Sequence, residues 1–305
     1  MTRPLRIGTR ASPLALAQAE EVRAALTAAH GLPAGATQII KIIASGDKIQ
    51  DRSLADIGGK ALWTRELDQA LARGEIDIAV HSMKDVETIR PPQFGIAAIL
   101  ERADVRDRLI GAASIVALRT GATLGTASPR RRAQLLRLRP DLRIELLRGN
   151  VASRIAKVER GEVGATLLAA AGLDRLGLHA MGNAIPLETM LPAASQGAIG
   201  VEVRANDERI GALVSAIDHA TSRTCVLAER ALLAALGGSC RSPVAALAQW
   251  QGERILLRAE LYSLDGQEAV RGALMLSGDH EQGAGQLARD LLSRATASVR
   301  ALFTL

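Results

Sequence analysis

Apolar and polar positions along this chain follow two alternating rhythms. Short apolar runs that read as buried strands fall at residues 5–9, 37–44 and 76–80. Between them, 13–29 and 64–73 carry apolar residues at helical spacing. A second series starts with a strand near 123 and continues as helix 129–139, strand 142–147, helix 151–160 and strand 165–169. Such alternation predicts parallel sheets flanked by helices. The two series open alike: Ile7-Gly8-Thr9-Arg10-Ala11-Ser12-Pro13 resembles Leu124-Gly125-Thr126-Ala127-Ser128-Pro129. In each, a strand ends at Gly-Thr, Ser takes the N-cap, and Pro sits at the first helical position, where its missing N–H costs nothing. Two similar doubly wound α/β lobes around a cleft are therefore predicted.

Beyond residue 195 the pattern changes. A strand at 198–203 and a helix at 208–217 are expected to return to the first lobe. A long helix, 222–236, ends at Gly237-Gly238, a natural C-cap. Strand-like runs follow at 244–250, 255–261 and 268–276, and a final helix puts Leu287, Leu291, Ala295, Val299 and Leu302 on one face. This predicts a small α+β third domain. The expected boundaries are 1–97 with 198–217 for the first lobe, 98–197 for the second, and 218–305 for the last.

Composition narrows the function. With 305 residues, 48% apolar and 23% charged, the chain is ordinary for a folded protein of two or three domains. Its first residues form no secretory signal, and no apolar stretch reaches the roughly 18 residues of a membrane span, so a cytoplasmic protein is expected. Two cysteines, Cys225 and Cys240, and five scattered histidines match no disulfide framework or metal-ligand spacing, so no metal site is expected. Of 38 basic residues only five are lysines. Coding bias accounts for part of that, but arginine also grips carboxylates in a two-pronged fork that lysine cannot form. A pI near 10 first points to nucleic acid. Aromatic residues at 2% leave little for a base-stacking platform, which favours a small polyanionic ligand.

Candidate chemistry concentrates at strand ends. His81-Ser82-Met83-Lys84-Asp85 follows the 76–80 run, where open α/β sheets hold their ligands. A plain Lys84–Asp85 surface pair is the alternative reading. Arg130, Arg131 and Arg132 occupy the first turn of a helix, opposing its dipole by roughly 0.3–1 kcal/mol each, which a bound anion would offset. At Arg148-Gly149-Asn150 the theme recurs, with Asn150 as cap and Arg148 and Arg154 on either side. Neither a phosphate loop nor a nucleophile elbow nor a dinucleotide fingerprint is complete. Cys240, in a loop beside Arg241, is a plausible nucleophile or attachment point. Cys225, inside the long helix, reads as a packed small hydrophobe.

Together these motifs resemble one family over nearly the whole chain: porphobilinogen deaminase, or hydroxymethylbilane synthase, of heme and porphyrin biosynthesis. They are Thr9-Arg10-x-Ser12-Pro13-Leu14-Ala15-Leu16, Gly46-Asp47, Gly58-Gly59-Lys60, the stretch from His81 to Val86, and Gly125-Thr126 with the arginines after it. Leu147-Arg148-Gly149-Asn150-Val151, Ala171-Gly172-Leu173, Arg175-Leu176-Gly177-Leu178, Gln196-Gly197-Ala198, and Glu229-Arg230 leading to Cys240 complete the set. The resemblance implies a monomeric transferase with a periplasmic-binding-protein-like pair of lobes. It implies a dipyrromethane cofactor held as a thioether by Cys240, onto which four porphobilinogen units are condensed with loss of ammonia before hydrolysis frees hydroxymethylbilane. Asp85 matches the family's catalytic aspartate, which would stabilise the cation left when ammonia departs. Arg10, Arg130, Arg131, Arg148, Arg154 and Arg175 match positions that bind pyrrole carboxylates. Ser12, Lys84, Thr126, Ser128 and Gln196 match nearby polar contacts. The Gly-rich segment 45–60 is a candidate lid, ending at Lys60 with Trp63 just beyond, or else merely a disordered surface loop.

Some positions depart from the family pattern. Glu87 stands where proline is usual and adds a negative charge near Asp85. Ser239 replaces a frequent glycine and would be uncomfortable if that position needs positive φ. Trp63 replaces phenylalanine, Asp56 a lysine, and Pro129 a leucine. The competing readings are a non-enzymatic bilobal anion-binding protein and, more weakly, a nucleic-acid binder.

Overall fold

A computed structural model describes residues 3–43, 64–277 and 279–303. In chain order the elements are β1 (Leu5–Arg10), α1 (Pro13–His30), β2 (Thr37–Ile42), α2 (Arg65–Ala72), β3 (Ile78–Ser82), β4 (Phe94–Ile99), β5 (Asp107–Ile110) and β6 (Thr123–Gly125). Then come α3 (Pro129–Leu138), β7 (Arg143–Glu145), α4 (Val151–Glu159), β8 (Ala165–Ala169), α5 (Ala170–Arg175) and β9 (Asn183–Ala184). The last are β10 (Ile199–Arg204), α6 (Glu208–Ser215), α7 (Ala220–Ala235), β11 (Val244–Gln251), β12 (Arg254–Tyr262), β13 (Ala269–Leu276), α8 (His280–Arg294) and α9 (Ala297–Arg300). The described residues divide into two compact units. One holds 3–43, 64–103 and 197–223; the other holds 104–196, 224–277 and 279–303.

The first unit is built on a sheet ordered β2-β1-β3-β10-β4. β1 runs parallel to β2 and β3, while β10 is antiparallel to both β3 and β4. Leu5, Ile7, Ile78, Val80, Ile199 and Val201 pack with Val22 and Leu26 of α1 into its core. In the second unit the order β7-β6-β8-β5-β9 repeats the scheme, with β6 parallel to β7 and β8, and β5 antiparallel to β8 and β9. The shared opening of the two series has a shared local cause. Ser12 Oγ accepts from Ala15 N at 3.3 Å and Ser128 Oγ from Arg131 N at 3.4 Å, each with Pro next in line. The second unit also carries the antiparallel sheet β11-β12-β13. Its core takes Cys225 and Leu232 from α7 and Leu287 and Leu291 from α8, so Cys225 packs as a small hydrophobe, as expected.

Three features differ from the sequence reading. β4, β5, α5 and the two-residue β9 are present where the sequence reading assigns no element, although β4 falls on the apolar run Phe94–Ile99. β3 begins at Ile78 rather than residue 76 and extends through Ser82, so His81 and Ser82 belong to the strand and only Met83–Asp85 form the turn beyond it. The final helix is two helices: Ala295 is extended at ψ 145°, and the Thr296 hydroxyl caps α9 by accepting from Val299 N at 3.4 Å. A threonine at that position offers the backbone an N-cap in place of continued helix.

Candidate active site

Asp85 closes a single 3-10 turn at the end of β3, half-buried, and its carboxylate makes no hydrogen bond or ion pair with a described residue. It lines an open hollow of about 430 Å³, counted to its solvent mouth, with Arg10 from β1, Ser12 and Gln18 from the start of α1, Thr64, and His81 and Ser82. Arg10, Ser12 and Asp85 are thus brought together as the motifs imply. Lys84 sits in the same turn, also half-buried. Gln18 is an addition the sequence reading missed: its amide donates to Ser82 Oγ at 2.8 Å and pins the end of β3 to α1. Lys60, Trp63 and the 45–60 lid segment lie outside the described residues.

Behind the turn is a buried charge network. Glu202 on β10 receives Arg90 at both oxygens, each at 2.8 Å, and its Oε2 lies 3.3 Å from His81 Nε2. Burial alone would raise the Glu202 carboxyl, but His81 and Arg90 hold it at about 2. Arg90 also donates to Asp68 at 2.5 Å and to Glu87 at 2.6 Å. The Glu87 carboxylate accepts from Thr64 as well, at 2.9 Å. The negative charge that Glu87 introduces two residues after Asp85 is therefore countered by Arg90.

β10 holds the turn from its other side. Gly200 pairs with His81, and Met83 N donates to Ala198 O at 3.0 Å. A Cβ at Gly200 would collide with the buried Met83 side chain. Gly200→Val is expected to cost about 1–3 kcal/mol by overpacking, although valine is the better strand former. It is also expected to lower kcat several-fold by displacing the turn. Denaturant titration together with turnover checks this, and unchanged kcat in a destabilised variant contradicts it.

In the second unit Arg130 and Arg131 are buried, and each donates to Asp107: Arg130 Nη2 to Oδ2 at 2.9 Å and Arg131 Nη2 to Oδ1 at 2.7 Å. Gln196 Nε2 donates to Asp107 Oδ1 at 2.9 Å. The anion that permits cations at this helix start is thus in part internal, an aspartate the sequence reading did not single out. Burial alone would raise the Asp107 carboxyl, but the two guanidiniums hold it well below the usual range. Arg132 is exposed and donates to Ile144 O at 3.2 Å. Thr126 is buried at the end of β6, and Ser128 caps α3. Asn150 caps α4 by accepting from Ser153 N at 2.9 Å; Arg154 Nε donates to Gly149 O at 2.9 Å, and Arg148 is buried. Arg175 is half-buried at the last residue of α5.

Cys240 is exposed in the turn after α7 and is not in a disulfide. The turn closes on itself: Ser242 N donates to Ser239 O at 3.0 Å, Arg241 N to Ser239 Oγ at 3.2 Å, and Ser239 N to Ser242 Oγ at 3.1 Å. Among the described residues Ser195 alone, apart from glycines, has positive φ. Serine at 239 is therefore unstrained, and its hydroxyl orders the loop that presents the thiol.

A family model described as porphobilinogen deaminase, dipyromethane cofactor binding domain, matches residues 5–212, and the same enzyme's C-terminal domain matches 223–294. The chain belongs to the porphobilinogen deaminase family. Asp85 lies in the first matched span and Cys240 in the second. A porphobilinogen deaminase of Sphingopyxis alaskensis is 58% identical over 98% of this chain and 96% of its own length. One from Paracoccus denitrificans is 50% identical over 96% and 95%. Among solved structures, a periplasmic substrate-binding protein of an ABC transporter from Coxiella burnetii is a loose neighbour. It has a TM-score of 0.41 and 18% identity over 70% of this chain and 91% of that one.

Proposed function

We propose that this porphobilinogen deaminase family member condenses four porphobilinogen molecules, with loss of ammonia, using Asp85 in the hollow of the first unit and Cys240 as the cofactor's attachment point. The observation that carries the assignment is a carboxylate without a described partner, facing a hollow that Arg10 and Ser12 also line. The residues of the second unit suit a carboxylate-bearing cofactor: the Nε atoms of Arg130 and Arg131 are buried with no hydrogen-bond partner, and Cys240 is open to solvent. A covalently held dipyrromethane supplies the starting nucleophile for chain growth. Asp85 stabilises the positive charge that develops at the substrate's methylene carbon as ammonia leaves, and it accepts pyrrole N–H groups. Arg10 is placed to bind a substrate carboxylate at the same hollow. Arg148, Arg154 and Arg175, with Lys84, Thr126, Ser128 and Gln196, complete the reading as carboxylate and polar contacts.

Intact-mass measurement tests this. The purified protein is expected to exceed its polypeptide mass by one dipyrromethane, and Cys240→Ser to lose the increment. Retention of the added mass by Cys240→Ser rejects the attachment site. A bare wild-type polypeptide that stays unmodified in the presence of porphobilinogen rejects the function. The reading includes a cytoplasmic monomer that binds no nucleic acid; sedimentation near 32.1 kDa, unaltered by added DNA, is the expected result.

A further inference from the structure

Asp107 sits in β5 with 3% of its surface exposed, between two arginines and one glutamine. The partners of each guanidinium can be traced. Arg130 spends its Nη ends on Asp107, on Gln134 Oε1 and on Leu191 O, the last two both at 2.9 Å. Arg131 spends its own on Asp107 and on Leu167 O at 2.8 Å. Every Nη nitrogen of Arg130 and Arg131 thus has a partner, whereas the Nε of each is buried and has none. One carboxylate between two guanidiniums also leaves a net charge of about +1, since arginine does not deprotonate in proteins. Buried excess charge and unmet N–H donors are both costly, and a single ligand carboxylate would relieve both at once.

We propose that Asp107 is the positioning residue of this arginine pair: it holds both guanidiniums by their Nη ends so that the Nε edges meet a carboxylate of the pyrrole chain, and by cancelling one of the two charges it limits how tightly that chain is retained. This rests on the functional reading above. A product that gains acidic groups at each addition must still be released. A pair left at +2 would hold it longer, and a pair reduced to zero would hold it too weakly to grow. Asp107 and Arg131 therefore push in opposite directions, although both belong to one hydrogen-bonded knot. A merely structural role gives no such opposition.

The experiment mixes holoenzyme with limiting porphobilinogen, quenches it, and reads the number of pyrrole units on the intact protein by mass. Release of hydroxymethylbilane is followed in parallel. For Asp107→Asn the bound distribution is expected to shift toward heavier species and release to slow about tenfold, the effect of one charge-assisted contact. For Arg131→Gln the distribution is expected to shift to lighter species, down to the bare polypeptide. A wild-type or lighter distribution in Asp107→Asn overturns the proposal. Failure of the functional reading looks different, because wild type itself then carries no added mass. If Asp107→Asn is recovered unfolded, Asp107→Glu decides, since it keeps the charge and moves both oxygens by one methylene. A folded, loaded enzyme with KM raised several-fold and kcat held is the expected result, and an unchanged KM overturns the assignment.

Discussion

Asp85→Asn is expected to lower turnover by about 10²–10⁴-fold, the range found when a positioned acid–base or charge-stabilising group is removed. Thermal unfolding is expected to change little. The carboxylate has no described partner to lose, and it sits on a turn held by backbone bonds and by Met83 rather than by its own side chain. Asparagine keeps the size and a hydrogen-bonding oxygen, so the deficit isolates the charge. Asp85→Glu restores the charge one methylene further out and is expected to recover only part of the rate. Porphobilinogen consumption and circular dichroism on the same preparations decide the matter, and near-normal turnover in Asp85→Asn removes this residue from the mechanism.

The second large effect is on stability. Arg90 has 8% of its side chain exposed and faces three carboxylates, Glu202, Asp68 and Glu87. Arg90→Leu leaves them without their shared cation, and the cost at pH 7 is expected to be about 3–5 kcal/mol. The pH dependence has a definite sign. In the wild type, Glu202 is held at about 2, below its unfolded value, so its contribution is full above about pH 4.3 and is lost as pH falls through about 2. Asp68 is shifted upward, chiefly by burial, and opposes this in part. Without Arg90 the carboxyls rise and take up protons more readily, so the deficit is largest at pH 7.5 and shrinks toward pH 5. Urea unfolding at the two pH values measures this, and an equal loss at both contradicts it. Adding Glu202→Gln to Arg90→Leu is expected to recover part of the loss, since the two side chains are coupled.

The parts of the site legible in the sequence are those whose cause is local. Ser12-Pro13 and Ser128-Pro129 announce helix starts because cap and first-turn chemistry act within three residues. The two lobes' alternating pattern is legible for the same reason. Asp107 was not, since it lies in Glu101-Arg102-Ala103-Asp104-Val105-Arg106-Asp107-Arg108, a run that reads as a solvated surface. Its buried partners lie 23, 24 and 89 residues further on, and no spacing rule joins them. Arg90 beside Pro91 was hidden in the same way, its main partner lying 112 residues away. β5 is hidden because it opens on the charged pair Asp107-Arg108 and the strands that shield it, β8 and β9, arrive from distant sequence; β4 is legible as the apolar run Phe94–Ile99. The break at Thr296 escaped because apolar spacing runs across it unchanged.

The antiparallel strand in each sheet sets a timetable for synthesis. The β7-β6-β8-β5-β9 sheet of the second unit has all its strands once Ala184 is made, because β5 precedes its partners. The amino-terminal sheet is begun first but lacks the strand between β3 and β4 until Arg204 leaves the ribosome. Until then β3, which carries the chain toward Asp85, has an open edge, the kind of surface that recruits chaperones or mispairs. The earliest part of the polypeptide is thus among the last to mature, and premature termination anywhere before β10 leaves that half of the protein unfinished.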